Sequence, residues 1–414
     1  MRVWPLTARG TGAVLLGILC FILAHALHLT ELLYVSVLLF AVVAASLAIL
    51  YLVRRTETVT RAFRPDVAPA GGETHVRVQV DIRAPLPSAQ AKWSDKLAPG
   101  LHGAAQGEFP ALGSGLGSGA QRVELDYVVQ AERRGIRPVG PLSVTSTDPF
   151  GFARRRHVIG DPVPLTVTPA VIDLGALDEL PGSVGGSLHS ETNELGQGAD
   201  NLIPRMYVPG DSMRRIHWRA SAHRDELMVR QEEQESTPEA TVVFDRGVRR
   251  YAPESLVTPG EDPGFEAAVS ACASAVARLS SEGYVVTVMD IDGSQLVERI
   301  DSEDHAAVDE MAVSFASLTA RREGTLEDLV HLFLGTTTGP LVVITGRFDE
   351  ADAETLMPLV HHSTLPILLT VSPQGQALAH VAEAGWRAAA ISVESDLSDA
   401  WIAAIDREAD HVVS

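Results

Sequence analysis

The stretch YVPGDSMRRIHWRASAHRDELMVRQEEQE, residues 207–235, combines charge, aromatic rings and turn-forming residues more densely than any other part of the chain. Pro209-Gly210 predicts a turn, because proline fixes φ and glycine accepts a positive φ. Asp211 is then placed to cap a short helix that runs through Trp218. The last part of the stretch alternates between apolar and polar residues, which predicts a strand. A turn, a helix, a loop and a strand therefore follow one another in this stretch.

The charges of this stretch are balanced, with six arginines and six acidic residues between Arg205 and Glu235. Equal numbers favour a self-satisfied network that joins the flanking domains, in which Ile216 and Trp218 are hydrophobic anchors. The alternative is an anion-binding or proton-transfer site formed by arginines with Asp211 and nearby histidines. We call residues 201–238 the signature block.

The signature block resembles the bacterial domain-of-unknown-function 58 family. The matching residues are Tyr207, Gly210, Asp211, Arg214 or Arg215, Ile216, Trp218, Ser221, Ala222, Leu227, Val229, Arg230 and Glu232. His223 stands where the family more often has arginine. The residues to which we assign a binding or structural role are Tyr207, Gly210, Asp211, Arg214, Arg215, Trp218, Arg219, Ser221, Arg230 and Glu232. The resemblance implies membrane anchoring, a von Willebrand factor A-like C-terminal region and a MoxR-type AAA+ ATPase as partner. It implies no activity.

Composition limits the class of protein. The chain has 414 residues, of which 46% are hydrophobic and 21% charged, enough for two or three folded domains. Residues 236–414 carry 29 acidic residues against 10 arginines, whereas residues 1–235 are nearly neutral. Because this acidity repels phosphate backbones, nucleic-acid binding is not expected. The two cysteines, Cys20 and Cys272, form no disulfide framework.

Two apolar runs near the N-terminus predict a transmembrane helical hairpin. Gly12–Leu29 has 18 residues and Leu32–Val53 has 22, and each is long enough to cross a bilayer. Arginines precede the first run and follow the second, so both termini are expected in the cytoplasm, together with residues 56–414. The alternative is a cleaved signal peptide, but cleavage would leave the longer run near the new N-terminus.

Period-two alternation predicts an antiparallel β-sandwich of immunoglobulin-like type in residues 56–180. The apolar members alternate with polar ones in Val76–Ile82 and again in Val123–Val129. Residues 99–120, rich in glycine, alanine and serine, are expected to form a flexible hairpin loop. Arg154-Arg155-Arg156 has two interpretations, a solvated strand end, which we favour, or a docking patch for anionic lipid. Residues 181–200 are expected to be a flexible linker.

Strands alternate with helices in residues 239–414, which predicts a doubly wound α/β domain. The expected strands are 241–245, 284–291, 295–300, 340–346, 365–371 and 388–393, with a helix at 263–281 after the first. Asp292-Gly293 predicts a hairpin turn, so the strand that follows should run antiparallel. An antiparallel edge strand in such a sheet resembles the von Willebrand factor A-like fold. The predicted organisation is a hairpin at 1–55, a sandwich at 56–180, a linker at 181–200, the signature block at 201–238 and this domain at 239–414.

That fold often binds a divalent cation after its first strand, through the pattern Asp-x-Ser-x-Ser. Here the aspartate is Asp245, but Gly247 and Arg249 replace both serines. Asp245, Thr345 and Asp349 therefore form a degenerate cation site, and no metal is expected because too few oxygen ligands remain. Asp245 is expected to pair with Arg246, Arg249 or an arginine of the signature block.

Motifs for known enzyme chemistries are absent from the sequence: there is no Gly-x-Ser-x-Gly elbow, His-Glu-x-x-His or lysine-bearing phosphate loop. We therefore assign no catalytic residue and no cofactor. The favoured hypothesis is a membrane-anchored scaffold or accessory protein that presents its α/β domain to a protein partner. The alternative is an enzyme with anion-binding or proton-transfer chemistry at the signature block.

Overall fold

A computed structural model describes residues 4–52, 56–83, 90–113, 121–177, 202–207, 216, 218–224, 226–232, 238–322, 324–334, 336–392 and 396–405, without the side chains of 202–205, 219–220, 224 and 230–232. The predicted linker, 181–200, lies outside these residues. The chain divides into two compact units. The first contains 1–171, 252–269 and 310–320, and the second contains 172–251, 270–309 and 321–414.

Two long apolar helices open the first unit. Helix α1 spans Ala8–Leu27 and helix α2 spans Thr30–Leu52, with lengths of 20 and 23 residues, so each is long enough to cross a membrane. Most of their side chains are exposed, as expected of surfaces that face lipid rather than a protein core. Ser36 Oγ donates to Gly17 O at 2.8 Å between the helices. The expected pair of apolar helices is confirmed.

Two β-sheets make up most of the rest of the first unit. The strands are β1 Thr56–Arg64, β2 Val67–Pro69, β3 Glu73–Arg83, β4 Ala91–Leu97, β5 Leu101–Gly103, β6 Gln106–Phe109, β7 Gln121–Ala131, β8 Gly135–Thr147, β9 Arg154–Ile159 and β10 Val163–Thr168. One sheet has the order β1-β3-β7-β5, and the other has the order β2-β10-β8-β4-β6 with β9 also paired to β8. All pairs are antiparallel except β2 with β10.

The two sheets share one apolar core, which explains the period-two pattern. Val76, Val78 and Val80 of β3 are fully buried, and the residues between them face outward. Alternate residues of β7 enter the same core and meet Trp93 of the opposite sheet. The predicted two-sheet β domain is confirmed. The expectation of a loop throughout 99–120 is wrong, because β5 and β6 lie there, while residues 114–120 are outside the described part.

The signature block forms a short hairpin with a helix. Strand β11, Leu202–Met206, pairs antiparallel with β12, Met228–Glu232, so the strand predicted for the end of the block is confirmed. The helix, α3, spans Trp218–Arg224. The predicted helix was expected to run through Trp218, whereas α3 begins there and continues into the segment expected to be a loop. The predicted turn and cap, residues 209–211, lie outside the described residues.

A parallel sheet forms the centre of the second unit. Its strands are β13 Glu239–Phe244, β14 Val285–Met289, β15 Thr338–Phe348, β16 Ser363–Pro373 and β17 Arg387–Ala390, in the order β14-β13-β15-β16-β17. The helices along this part of the chain are α4 Pro263–Ser281, α5 His305–Phe315, α6 Leu326–Phe333, α7 Glu350–Leu356, α8 Ala377–Glu383 and α9 Leu397–Ile405. Such an order is that of a doubly wound α/β sheet, as the alternation of elements predicted.

The edge of this sheet beyond β14 carries an irregular antiparallel segment. The chain reverses at Asp292-Gly293, where Gly293 adopts φ of 83°, and then returns along β14. Val286 and Ile300 exchange two backbone hydrogen bonds of 2.8 and 3.0 Å. The predicted reversal and its direction are confirmed, although residues 295–300 form isolated bridges rather than a continuous strand.

Arg134 holds together separate segments of the first unit. Its guanidinium group forms a bidentate pair with Glu266, with distances of 2.6 and 2.7 Å, and donates to the carbonyl oxygens of Phe315 and Leu318. It also lies 5.8 Å from the ring centroid of Phe265. Because these partners belong to 252–269 and 310–320, one buried side chain fixes both returning segments.

Candidate functional site

The carboxyl edge of the parallel sheet contains the candidate site. The chain leaves β13 toward β14 on one side, whereas β15 lies on the other side of β13, so the order reverses between β13 and β15. Open α/β sheets bind ligands at such a switch point, outside the carboxyl ends of the strands. Asp245 follows β13 directly and Thr345 lies near the end of β15. The fold therefore brings these two predicted residues to the position where a ligand would bind.

Asp245 is completely buried, and its own chain satisfies its carboxylate. Oδ1 accepts a hydrogen bond of 2.9 Å from Gly247 N, and Oδ2 accepts one of 2.9 Å from Thr345 Oγ1. Oδ2 also lies 3.1 Å from Arg250 Nε. Burial raises the pKa of the Asp245 carboxyl, and these three donors oppose that rise by favouring the ionised form.

Arg250 bridges two carboxylates of this edge. A 3₁₀ turn over Val248–Arg250 brings its side chain back toward Asp245. Its Nη2 donates to Asp352 Oδ1 at 2.7 Å, and its Nη1 donates to the other Asp352 oxygen and to Arg347 O. Burial lowers the pKa of Arg250, but the hydrogen bond to Asp352 and the charge of Asp245 more than offset burial, so the pKa is raised. The guanidinium group stays charged and occupies the space beside Asp245.

The observed partner of Asp245 is Arg250 rather than Arg246 or Arg249, and the third expected partner, an arginine of the signature block, lies outside the described side chains. Arg246 pairs with Asp290 at 2.8 Å, and Arg249 is exposed. The sequence pattern did not distinguish Arg250 as the partner, because it is one of three arginines within five residues of Asp245. The physical reason is the 3₁₀ turn, because it determines which of three neighbouring arginines points back to the sheet.

Asp349 caps a helix instead of facing Asp245 as a metal ligand would. Its Oδ1 accepts from Ala351 N and Asp352 N at 3.0 and 3.1 Å, so it caps the N-terminus of α7. Asp352 in turn accepts from Asp349 N at 3.0 Å, which completes a capping box. The capping box holds Asp352 where Arg250 reaches it. The third member of the degenerate cation site therefore acts through the helix cap.

A second group of ion pairs lies beside the first, at the end of β14. Asp290 is fully buried, and its Oδ2 lies 2.8 Å from Arg246 Nε and 3.1 Å from Arg321 Nε. Arg321 Nη1 also donates to Asp292 at 2.6 Å, and this hydrogen bond holds the pKa of Asp292 well below its usual range. We call the whole set the arginine–aspartate cluster: Asp245, Asp290, Asp292, Asp352, Arg246, Arg250 and Arg321.

The cluster is chemically closed. Its aspartates are paired with guanidinium groups that are always charged at neutral pH, so its buried carboxylates are not arranged as an open cation site. Among the described residues, no group of three or more histidine, cysteine, aspartate or glutamate side chains is arranged to hold a metal ion. A depression of about 580 Å³ lies elsewhere, on the β-sandwich, lined by Thr56, Thr58, Asp81, Arg83 and Arg122.

Three of the ten residues with an assigned role, Tyr207, Trp218 and Ser221, are described with their surroundings, and so is the expected anchor Ile216. Tyr207 is half-buried and its N–H donates to Leu227 O at 2.8 Å. Ser221 Oγ accepts from Met228 N at 2.8 Å, which ties α3 to β12. Ile216 is buried, as expected of an anchor. Trp218 is 68% exposed, so its predicted role as a buried anchor is wrong.

The other seven residues with an assigned role lie outside the described part of the chain, either entirely or by their side chains. Gly210, Asp211, Arg214 and Arg215 lie outside the described residues. The side chains of Arg219, Arg230 and Glu232 also lie outside the description, although their backbones belong to α3 and β12. Both the interlocking network and the anion site therefore stay predictions.

A known protein family matches the part of the chain that contains the signature block. Residues 204–298 match the family described as "Protein of unknown function DUF58". This match confirms the resemblance read from the signature block, and it extends through β13, α4 and β14. No curated protein matches the chain.

Solved structures that are similar to part of the chain include two of low sequence identity. A crystal structure of the CARDB domain of a Pyrococcus furiosus protein is 12% identical, covers 28% of this chain and 93% of that domain, and has a TM-score of 0.18. An X-ray structure of a structural-genomics target is 14% identical, covers 30% of this chain and 92% of its own, and has a TM-score of 0.14. These scores are too low to define the fold of the chain.

Proposed function

We propose that this protein is a membrane-anchored accessory protein whose α/β domain binds a protein partner. The observation that supports this proposal most is Arg250, which lies between Asp245 and Asp352 at the switch point of the sheet. In open α/β sheets this position commonly receives the ligand. Here the chain's own Arg250, bound by carboxylates on both sides, occupies this position. Recognition of a partner is therefore assigned to the outer surface of the domain.

The proposal includes a specific fold type for each domain. The α/β domain is von Willebrand factor A-like, supported by the antiparallel segment beside β14 and by the aspartate that follows β13. In this domain the Arg250 guanidinium group takes the place of the divalent cation. The β-sandwich is of immunoglobulin-like type, supported by its two packed sheets.

The membrane anchor is the pair α1 and α2, with both chain termini in the cytoplasm. Support comes from the lengths of the helices and from the sequence, in which Arg2 and Arg9 precede the first apolar run and Arg54 and Arg55 follow the second. A reporter domain that is active only in the cytoplasm should be active when it is fused after Ser414. Activity of a reporter that works only outside the cytoplasm, fused at the same position, would reject this topology.

The partner is a protein with a basic surface, and the family resemblance suggests a MoxR-type AAA+ ATPase. Residues 236–414 carry 29 acidic residues against 10 arginines, a charge that attracts basic surfaces. Glu327 in the first turn of α6 and Glu354 of α7, the helix that follows β15, are exposed. We expect these helices to form part of the binding surface.

The experiment that tests this function is capture of a purified MoxR-type ATPase by the full chain in lipid nanodiscs, with and without ATP. The double variant Glu327→Gln, Glu354→Gln should weaken capture. The matched control is Glu383→Gln, which changes an exposed glutamate at the C-terminal end of a different helix, α8, and should leave capture unchanged. Absence of binding by the parent in either nucleotide state would reject this partner. Equal loss in the control would reject the surface.

A further inference from the structure

The turn between β8 and β9 is a rigid structure that presents an aromatic side chain. Asp148 is buried, and its two oxygens accept from Ala153 N at 2.5 Å and from Phe150 N at 2.9 Å. Gly151 adopts φ of 74°, which the turn requires and which glycine accepts without strain. Phe150 is 56% exposed at the tip. The turn therefore holds an exposed aromatic ring in a fixed position.

This turn is bound directly to the start of α1. Thr7 Oγ1 donates to Gly151 O at 2.6 Å, and Thr7 N donates to Phe152 O at 2.9 Å. Gly10 packs so closely on the turn that an added Cβ would lie 2.0 Å from Phe152 O. A residue with a side chain at position 10 would push the helix away. The turn therefore has a fixed height relative to the first turn of α1.

The next residues bind the end of α2 in the same way. Arg155 Nη1 donates to Leu50 O at 2.7 Å, and its guanidinium group lies 5.3 Å from the ring centroid of Tyr51. Tyr51 Oη donates to Arg154 O at 3.4 Å. The favoured interpretation of Arg154-Arg155-Arg156 as a solvated strand end is therefore wrong for Arg155, which is bound to the helix hairpin.

These contacts fix the depth of the turn in a membrane. Helix α1 has 20 residues, and a helix of that length is about 30 Å long, close to the thickness of the hydrocarbon core. If α1 spans the bilayer, its first turn lies at the boundary between hydrocarbon and headgroups. The β8–β9 turn must then lie at that boundary as well.

The side chains at this level have the chemistry of a membrane interface. Trp4 is 64% exposed and its carbonyl oxygen accepts from Arg154 Nε at 3.3 Å, while the exposed Tyr51 donates to the carbonyl oxygen of the same arginine. Phe150 is exposed next to Gly151, which bonds Thr7. Arg9 and Arg154 are exposed too, and neither forms an ion pair with a carboxylate in the part of the chain that the structure describes. Aromatic rings are enriched at headgroup level, and arginines there attract anionic lipids.

We propose that Trp4, Tyr51 and Phe150 lie in the interface of the bilayer and that Arg9 and Arg154 bind the headgroups of anionic lipids. We call these five residues the interface collar. This inference rests on the proposed membrane anchoring. The collar makes the β-sandwich a lipid-bound platform with a fixed orientation, rather than a domain on a free tether.

Immersion of the turn can be measured with a spin label. Phe150→Cys is labelled with a nitroxide in the full chain in nanodiscs, because Cys20 and Cys272 are buried and label poorly. The control is Ile136→Cys near the start of β8, the strand that leads into the turn; Ile136 is 60% exposed and roughly 36 Å from the end of β8 next to the turn. The ratio of collisions with oxygen to collisions with an aqueous nickel chelate should be several-fold higher at position 150. Equal ratios would overturn the proposal.

Two further outcomes separate this inference from the anchor itself. Failure of the full chain to float with phosphatidylcholine vesicles would reject the anchor, and the collar with it. Flotation with a water-exposed label at position 150 would reject only the collar. If Phe150→Cys perturbs the turn, Trp4→Cys provides the same measurement at a second position.

Headgroup binding is tested with spin-labelled phosphatidylglycerol and phosphatidylcholine. The parent should select phosphatidylglycerol, by about five-fold for each arginine near the surface. Arg9→Gln with Arg154→Gln should lower this selectivity, whereas Arg77→Gln should not, because Arg77 is paired with Asp126 on an exposed face of the sandwich. Equal selectivity in the double variant and the parent would overturn the headgroup part, and so would no selectivity in the parent.

Discussion

Arg134 in the first unit and Arg250 in the second are both enclosed by protein, but their partners differ. Arg134 has a fully buried side chain, one carboxylate partner in Glu266, and main-chain carbonyls around its remaining N–H groups. Arg250 is slightly exposed and lies between two carboxylates, Asp245 and Asp352. The first arrangement joins segments of chain, whereas the second neutralises acids.

This difference determines what each arginine could be replaced by. A ring of carbonyls around a planar fork fits only a guanidinium group, because several N–H groups must point in fixed directions. Two carboxylates around a positive charge also describe part of a cation site. Arg134 is therefore a structural joint. Arg250 neutralises two acids, and under the von Willebrand factor A-like fold proposed above it stands where an ion would bind.

The largest expected effect is at Arg134. Arg134→Ala breaks a buried pair and leaves carbonyls and Glu266 without donors, so it should cost about 3–5 kcal/mol locally. Hydrogen exchange of the full chain in detergent micelles should show loss of protection in residues 252–269 and 310–320. Arg133→Ala is the control, because its pair with Glu261 is exposed and worth less than about 1 kcal/mol. Unchanged protection in Arg134→Ala would contradict the joint.

Loss of Arg250 should be the next largest. Arg250→Ala leaves Asp245 buried with an unpaired charge, at a cost of about 2–3 kcal/mol measured by exchange of the β13 and β15 amides. Asp245→Asn should recover part of this loss in the double variant, because the amide is neutral and still accepts from Thr345. Additive costs of the two substitutions would show that the residues are not coupled.

Magnesium should separate the parent from Arg250→Ala. A ligand that binds the native state raises the melting temperature, so Mg²⁺ should leave the parent's melting temperature unchanged, because Arg250 already occupies the space beside Asp245. In Arg250→Ala the carboxylates of Asp245 and Asp352 lose their shared guanidinium partner, and a rise should be measurable by scanning calorimetry. A rise in the parent would contradict the view that Arg250 replaces an ion.

The two units should also differ, by a smaller amount, in their response to pH. In the first unit, burial raises the pKa of Tyr127, and the Asp95 carboxylate, 2.8 Å from its hydroxyl, raises it further. The stability that this tyrosine contributes is present below its unfolded pKa of about 10 and lost as pH rises above it. Circular-dichroism melts between about pH 9 and 11 should show this loss in the parent. Tyr127→Phe should flatten it.

In the second unit the sensitive range is acidic. Arg321 holds the pKa of Asp292 below its ordinary value, so the contribution of Asp292 is present above the unfolded pKa of about 4 and lost as pH falls. Asp292→Asn should reduce the acid sensitivity of exchange in β14, while Tyr127→Phe should leave it unchanged. If Tyr127→Phe changed the acid response as much as Asp292→Asn, the two clusters would not be independent.

Patterns that are local in sequence determined the elements of this protein. Unbroken apolar runs specified α1 and α2, and period-two alternation specified β3 and β7, because a side chain's direction follows from the backbone repeat alone. Five of the six strands expected in residues 239–414 also form strands, and the sixth follows the predicted direction as isolated bridges. The dense signature pattern was enough to indicate the family.

Only the tertiary structure decided which charged groups meet. Arg250 and Asp352 are 102 residues apart, and Arg134 and Glu266 are 132 apart, so no spacing rule could pair them. Trp218 illustrates the same limit, since its size suggested an anchor and the fold left it exposed. An ion pair depends on angstrom-scale positions set by the packing of distant elements. Those positions exist only after the sheets have assembled.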